Sequence, residues 1–217
     1  MITVVAIHTA TPMVEPTREL FMKHLPEVRL VHIVDDTLIQ DVIGAGKVPD
    51  EVKERLLTYY NLALNAGADL IFNTCSSVGD VAMEAKSSFQ IPLIKIDDPM
   101  AEEAVTTAER IGVLATLSST LNPTVRLLRS FAGERGKKIE IREGLAEGAF
   151  EAALSGDRER HDRLIMEAAV KLARDVEVFV LAQGSMARME KQLELETGIR
   201  VLSSPERAVL KIKKILE

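Results

Sequence analysis

The 217-residue chain holds one cysteine, no tryptophan, two tyrosines and six phenylalanines. A single cysteine excludes an intrachain disulfide and any cysteine-based zinc cluster. Scarce aromatics and a formal net charge of −6 argue against a nucleic-acid partner, which requires basic stripes and stacking rings. The basic clusters present, Arg135-Gly136-Lys137-Lys138 and Lys211/Lys213/Lys214, read as a solvated turn and a helix end. No apolar run approaches the ~18 residues of a membrane span, and the first residues show no basic segment ahead of their apolar stretch. Neither a membrane nor a secretory route is expected, and a reducing cytoplasm is the expected setting. Histidines at His-x-x-x-His or His-Glu-x-x-His spacing are also missing, so no metal site is expected.

What is present is ordinary for a folded chain: 47% hydrophobic and 28% charged residues. Short β-branched runs alternate with longer helical patterns. The expected strands are Thr3–Ile7, Val28–Val34, Leu70–Asn73, Leu93–Ile96, Ile111–Ala115, Lys138–Arg142, Val178–Ala182 and Arg200–Leu202. Most are continuous apolar runs, as in strands covered on both faces of a parallel sheet. Asp98-Pro99, Asn122-Pro123 and Ser204-Pro205 each place a capping residue before a helix-starting proline, while Gly133 and Gly198 are expected at helix ends needing positive φ.

The halves of the chain echo each other at a spacing of about 109 residues. Ile7-His8-Thr9 recurs as Ala115-Thr116-Leu117, the strand around Leu30 as that around Ile139, Leu93 as Val201, and Asp98-Pro99 as Ser204-Pro205. In the same series Cys75 is matched with Ser185, 110 positions on. The expectation is an α/β protein of two pseudo-symmetric lobes, residues 1–105 and 106–217, each a four-stranded parallel sheet flanked by helices. The tail helix is expected to pack back on the first lobe.

Ligands of open parallel sheets bind beyond the carboxyl ends of the strands, so the active site is expected in the cleft between the lobes. The four strand-end loops, His8–Thr11, Asn73–Ser77, Thr116–Thr120 and Gln183–Ser185, are rich in hydroxyls and amides and lack Arg or Lys. Such groups, with helix amides, suit a small carboxylate. Cys75 follows a buried strand and immediately precedes an expected helix, where unpaired N–H groups favour a thiolate. His8 is the histidine expected to orient Ser185 or a carboxylate. Gly44-Ala45-Gly46-Lys47 lacks the other positions of a phosphate loop and is expected to be a mobile flap. Gln183 and Ala187 replace the glycines of a hydrolase nucleophile elbow around Ser185.

Asn73-Thr74-Cys75-Ser76-Ser77, Gly112-Val113-Leu114-Ala115-Thr116 with Thr120, and Gln183-Gly184-Ser185 together resemble the aspartate/glutamate/hydantoin racemase superfamily. The stretch Asp35-Asp36-Thr37-Leu38, continued by Ala45-Gly46-Lys47-Val48-Pro49-Asp50, resembles its hydantoin-racemase-like members. The resemblance implies a cofactor-independent isomerase without metal, a small carboxylate or hydantoin-like substrate, and a homo-oligomer. It implies Cys75 as one of two acid/base groups, with Ser185 in place of the second cysteine and His8 in place of an acidic residue. Thr9, Asn73, Thr74, Ser76, Thr116, Ser119, Thr120, Gln183 and Gly184 are the expected substrate-binding residues. Two other outcomes are left open: a decarboxylase of malonate-type acids working through one cysteine, and a non-catalytic two-lobed metabolite binder.

Overall fold

The computed structural model describes all 217 residues. In chain order the elements are β1 (Thr3–His8), α1 (Val14–His24), β2 (Arg29–Val34), α2 (Thr37–Ala45), α3 (Asp50–Asn65), β3 (Leu70–Asn73), α4 (Gly79–Ala85), β4 (Leu93–Lys95) and α5 (Asp98–Thr107). They continue as β5 (Arg110–Ala115), α6 (Ser118–Glu134), β6 (Glu140–Leu145), α7 (Ala149–Leu154), α8 (Arg158–Leu172), β7 (Val178–Leu181), α9 (Glu190–Thr197), β8 (Arg200–Leu202) and α10 (Ser204–Leu216). All eight expected strands form. They build two four-stranded sheets, ordered β2-β1-β3-β4 and β6-β5-β7-β8, with every pairing parallel.

Two compact units result, residues 1–96 with 205–217, and residues 97–204. In the first, successive β1 residues point to opposite faces. Val5 and Ile7 pack with Leu38, Val52, Leu56 and Tyr60 of α2 and α3, and Val4 and Ala6 pack with Phe21 of α1 and with Ala208, Val209 and Ile212 of α10. α3 illustrates why the sequence is helical there: Val52, Leu56, Tyr60 and Ala63 form one buried stripe, and Asp50 and Glu51 complement the positive helix start. In the second unit, Ile111 and Val113 pack with Met100 and Ala104 of α5 and Val125 and Leu128 of α6, while Leu114 and Phe179 pack with Ile165 and Ala169 of α8.

The division therefore differs from the expected 1–105 and 106–217. α5 buries Met100, Ala101, Ala104 and Val105 against β5 and β7, which moves the boundary back to 96/97. α10 places its apolar face on β1 and β3, so residues 205–217 belong with the first unit.

Other local expectations are corrected as well. α6 starts at Ser118, so Pro123 lies inside it. The Leu117 carbonyl already accepts from the Thr120 and Leu121 N–H groups, and a proline one turn later withholds a donor only from the Ser119 carbonyl. Gly133 is an interior residue of α6, and Gly136 adopts the positive φ beyond its end. Residues 44–47 are the end of α2 rather than a flap, with Gly46 at φ 65° as its left-handed cap. β2 and β6 are edge strands and only partly covered.

Gly112 is required by close packing. A Cβ there would sit 2.6 Å from two ring carbons of Phe179, which is wholly buried, and 3.3 Å from Val176. Gly112→Ala is expected to lower stability by about 1–3 kcal/mol through overpacking, read from urea unfolding; an unchanged midpoint would refute this.

Candidate active site

The site is described one unit at a time, from the carboxyl ends of the central strands. In the first unit β1 ends at His8-Thr9 and β3 at Asn73-Thr74-Cys75, and the chain then enters a 3-10 turn, Ser76–Val78, that leads into α4. Strand pairing holds these ends together: the Thr74 N–H donates to the Ile7 carbonyl at 3.1 Å and the Asp35 N–H to the His8 carbonyl at 3.0 Å.

Cys75 is half-buried. Burial pushes its thiol up, against hydrogen bonds from the Thr9 hydroxyl, the Ser77 and Val78 N–H groups and the Ser77 hydroxyl, which pull it down. The expected preference for thiolate is thereby corrected: the amides are present, but desolvation outweighs them. The resting group is a protonated thiol inside a ring of donors that would receive its negative charge.

The surrounding side chains fix this loop from beneath. Tyr60 donates to Asn73 Oδ1 at 3.2 Å, and Asn73 Nδ2 donates to the Cys75 carbonyl at 3.0 Å. The Thr74 hydroxyl donates to the Ile7 carbonyl at 3.0 Å and lies 3.0 Å from His8 Nδ1. With its one proton committed to Ile7, Thr74 accepts from His8 Nδ1–H. His8 Nε2 is then the acceptor in its 2.9 Å contact with His32 Nδ1, so His32 donates. The two imidazoles also stack, with centroids 5.1 Å apart. Burial, with His32 as a lesser cause, lowers the His8 pKa to about 4. His8 thus holds Thr74 with one nitrogen and meets His32 with the other. This corrects the expectation that it orients Ser185 or a carboxylate, because neither ring nitrogen is left for that task.

In the second unit β5 ends before Thr116 and β7 before Ala182-Gln183. Gln183 Oε1 accepts from the Thr116 N–H at 2.8 Å, and Gln183 Nε2 donates to the Thr116 hydroxyl at 2.8 Å. Thr120 turns its hydroxyl back to the Leu117 carbonyl at 2.9 Å, and Ser119 is half-buried beside it. Gly184 starts the 3-10 turn Gly184–Met189, on which Ser185 is exposed and Met186 and Met189 are buried. Arg188 braces this turn by a paired interaction with Asp162, which also bonds His161 at 2.7 Å.

The strand registers fix which residues of the two units correspond. Val4 pairs with Leu70 as Ile111 pairs with Val178, and Thr74 N–H bonds Ile7 as Ala182 N–H bonds Leu114. Cys75 therefore corresponds to Gln183, not to Ser185. Thr9 corresponds to Thr116, so the Thr9–Cys75 and Thr116–Gln183 pairs are equivalent. Ser185 corresponds to Ser77. The Leu30 strand also shifts, to match Ile141 rather than Ile139. No group of three or more His, Cys, Asp or Glu side chains is placed to hold a metal ion. No helix is long and apolar enough to cross a membrane.

The family model described as Asp/Glu/hydantoin racemase matches residues 2–212. No curated protein matches the chain. Among solved structures, a glutamate racemase isoform from Bacillus anthracis is 15% identical with a TM-score of 0.76, covering 99% of this chain and 81% of its own. Allantoin racemase from Klebsiella pneumoniae is 18% identical with a TM-score of 0.71, covering 100% and 88%. Aspartate racemase from Picrophilus torridus is 15% identical with a TM-score of 0.75, covering 99% and 94%. At these identities the likeness is one of fold.

Proposed function

The chain belongs to the Asp/Glu/hydantoin racemase family, and from that premise we propose a cofactor-independent racemase or epimerase. It moves a proton at a carbon α to the carboxylate or carbonyl of a small acid or its cyclic derivative. The observation that carries the reading is Cys75, the only thiol, set at the end of a central strand with four hydrogen bonds aimed at its sulfur.

In the abstraction direction Cys75 first gives its own proton to solvent; the thiolate then takes the α-proton, and the electrons of the broken C–H bond move into the adjacent carbonyl as an enolate or enediolate. That thiolate, before it takes the proton, is held by the Ser77 and Val78 amides and the Thr9 hydroxyl. Thr116, Ser119 and Thr120, with Asn73, Ser76, Gln183 and Gly184, supply the neutral donors and acceptors for the carboxylate, while Thr74, bonded to Ile7 and His8, holds the loop that carries them. The absence of Arg and Lys from these loops favours a substrate with a single anionic group or a neutral ring of the hydantoin kind. Delivery of a proton to the opposite face is assigned to the Ser185 hydroxyl, which regains a proton from solvent while Cys75 returns the abstracted one to solvent. The setting proposed is cytoplasmic, where the thiol stays reduced.

One observation favours a second reading. The counterpart of Cys75 in the other unit is Gln183, and an amide neither gives nor takes a proton at neutral pH. Chemistry confined to one face, such as decarboxylation of a malonate-type acid followed by protonation from Cys75, needs no second acid. The test is incubation in D₂O with α-substituted acids, hydantoins and malonates, with the α-proton followed by NMR and chirality in parallel. Exchange with loss of optical purity is expected. Exchange with retention, or CO₂ release giving one enantiomer, selects the one-face reading, and absence of both across the panel refutes both readings for those substrate classes.

A further inference from the structure

We propose that Tyr60 is a positioning residue for Cys75: acting through Asn73, it fixes the peptide plane that follows the thiol and so keeps the Ser77 and Val78 amides aimed at the sulfur. Its bearing on turnover rests on the acid/base reading of Cys75; its bearing on the thiol itself does not. Tyr60 lies in the buried stripe of α3 with Val52, Leu56 and Ala63, and both Tyr60 and Asn73 are wholly buried. The phenol ring is held edge-on to Phe89, with centroids 5.9 Å apart and planes at 84°.

The protons of this chain of groups have one consistent arrangement. The Cys75 carbonyl can only accept, so the Asn73 amide turns Nδ2 toward it, at 3.0 Å. Oδ1 then faces Tyr60 at 3.2 Å, and the phenol donates. Burial, with the charge on Cys75 as the lesser cause, pushes the Tyr60 hydroxyl above its ordinary range, so it stays a protonated donor. The far end of the chain matters because of where Cys75 sits. Its backbone is extended, φ −126° and ψ 119°, directly before the Ser76–Val78 turn. Rotation about ψ swings the Cys75 carbonyl and that turn together relative to the side chain. An anchored carbonyl therefore sets the angle at which the Ser77 and Val78 N–H groups meet Sγ.

The second unit shows that the fold does not need this pair. The strand register that sets Cys75 against Gln183 sets Asn73 against Leu181. In α8 the buried residues His161, Ile165 and Ala169 repeat the four-residue spacing of Val52, Leu56 and Tyr60, with alanine in the place of tyrosine. Ala169 and Leu181 belong to one buried apolar cluster. Where the strand leads to Gln183 rather than to a thiol, the same layer of the core is thus built from hydrocarbon. Replacing both partners of a buried hydrogen bond by apolar groups of similar shape is nearly neutral, so packing alone gives no reason for a phenol and an amide here. The Tyr60–Asn73 bond is confined to the unit that holds Cys75, which marks it as serving the thiol rather than the sheet.

The test uses the full chain and the pH dependence of Cys75 alkylation by iodoacetamide. This reaction of the thiolate needs no substrate and, with one cysteine in the chain, reports one site. Tyr60→Phe keeps the ring and removes only the donor. Its alkylation midpoint is expected to rise by about 0.5–1 pH unit, which lowers the rate at neutral pH by about three- to tenfold. The kcat for α-proton exchange is expected to fall by a like factor. Tyr60→Phe combined with Asn73→Leu copies the apolar layer of the second unit and leaves no orphaned amide. Its urea midpoint is expected to recover towards wild type while its alkylation midpoint stays raised, and it carries the test where Tyr60→Phe alone does not fold. An unmoved or lowered alkylation midpoint in Tyr60→Phe, or one that returns to the wild-type value together with stability in the double variant, would overturn the proposal. A raised midpoint beside an unchanged kcat would uphold it and count instead against the acid/base reading of Cys75.

Discussion

Cys75→Ala is expected to lose at least about three orders of magnitude in α-proton exchange, the scale on which loss of an acid/base group in proton transfer is felt. The side chain is half-buried and the change removes one sulfur, so the fold is expected to persist. Cys75→Ser is expected to lose nearly as much. Its hydroxyl could keep the hydrogen bonds to Thr9, Ser77 and Val78, but an alcohol holds its proton far more tightly than a thiol. The pH dependence carries a second signature. Because burial raises the thiol, the base form grows only above the ordinary thiol range, so kcat/KM for proton abstraction should climb through neutral into alkaline pH. The measurement is the initial rate of deuterium incorporation in wild type and both variants. Exchange at the wild-type rate in Cys75→Ala would remove Cys75 from the chemistry altogether.

The sequence carried the fold well because the central strands are continuous apolar runs. β3 and β8 form at the expected residues, and β1, β5 and β7 differ by one residue at an end. β6 forms at Glu140–Leu145 rather than 138–142 because it is an edge strand: four of its six residues are exposed, and no buried run marks its ends. Residues 44–47 misled for a related reason. Two glycines suggest a hinge, but one lies inside α2 and the other caps it, and neither role can be separated from a hinge by composition.

The site was legible at the level of loops and less so at the level of partners. The structure brings Cys75, Thr9, Asn73 and Thr74 together at the carboxyl ends of β1 and β3, where the expected strand ends place them. His32 and Tyr60 were not legible, since a histidine within β2 and a tyrosine in the core stripe of α3 look like packing until the hydrogen bonds are seen. The match of Cys75 with Ser185 failed by two residues, although a signal was available. The register offsets 108 at both β3/β7 and β4/β8, and at that spacing Cys75 falls on Gln183. The chemical likeness of serine to cysteine pulled the alignment away from its own period.

Acidification should destabilise the protein through His8 well before the carboxylates titrate. A free histidine in the unfolded chain has a pKa near ~6.5, and His8 in the folded state is lowered to about 4. Between those values the unfolded state binds the extra proton, so stability rises with pH and falls as pH drops through the window. The loss approaches roughly 2 kcal/mol between pH 7 and about pH 5 and roughly 3 kcal/mol once pH 4 is passed, below which both states are protonated. His32 is lowered too, chiefly by burial and then by Arg18, and acts in the same direction. Asp35 and Asp162 are lowered carboxylates whose contributions are lost only nearer their own range, so the interval from pH 7 to 5 belongs mainly to the histidine pair. His8→Asn keeps an N–H donor close to the Nδ1 position facing Thr74 while removing the titrating ring. Urea unfolding across this interval should therefore give a visibly shallower pH slope in His8→Asn than in wild type, even where the variant is less stable at pH 7. Equal slopes would mean that His8 is not held neutral between Thr74 and His32, and the tautomer chain that fixes the β1 end beneath Cys75 would have to be redrawn.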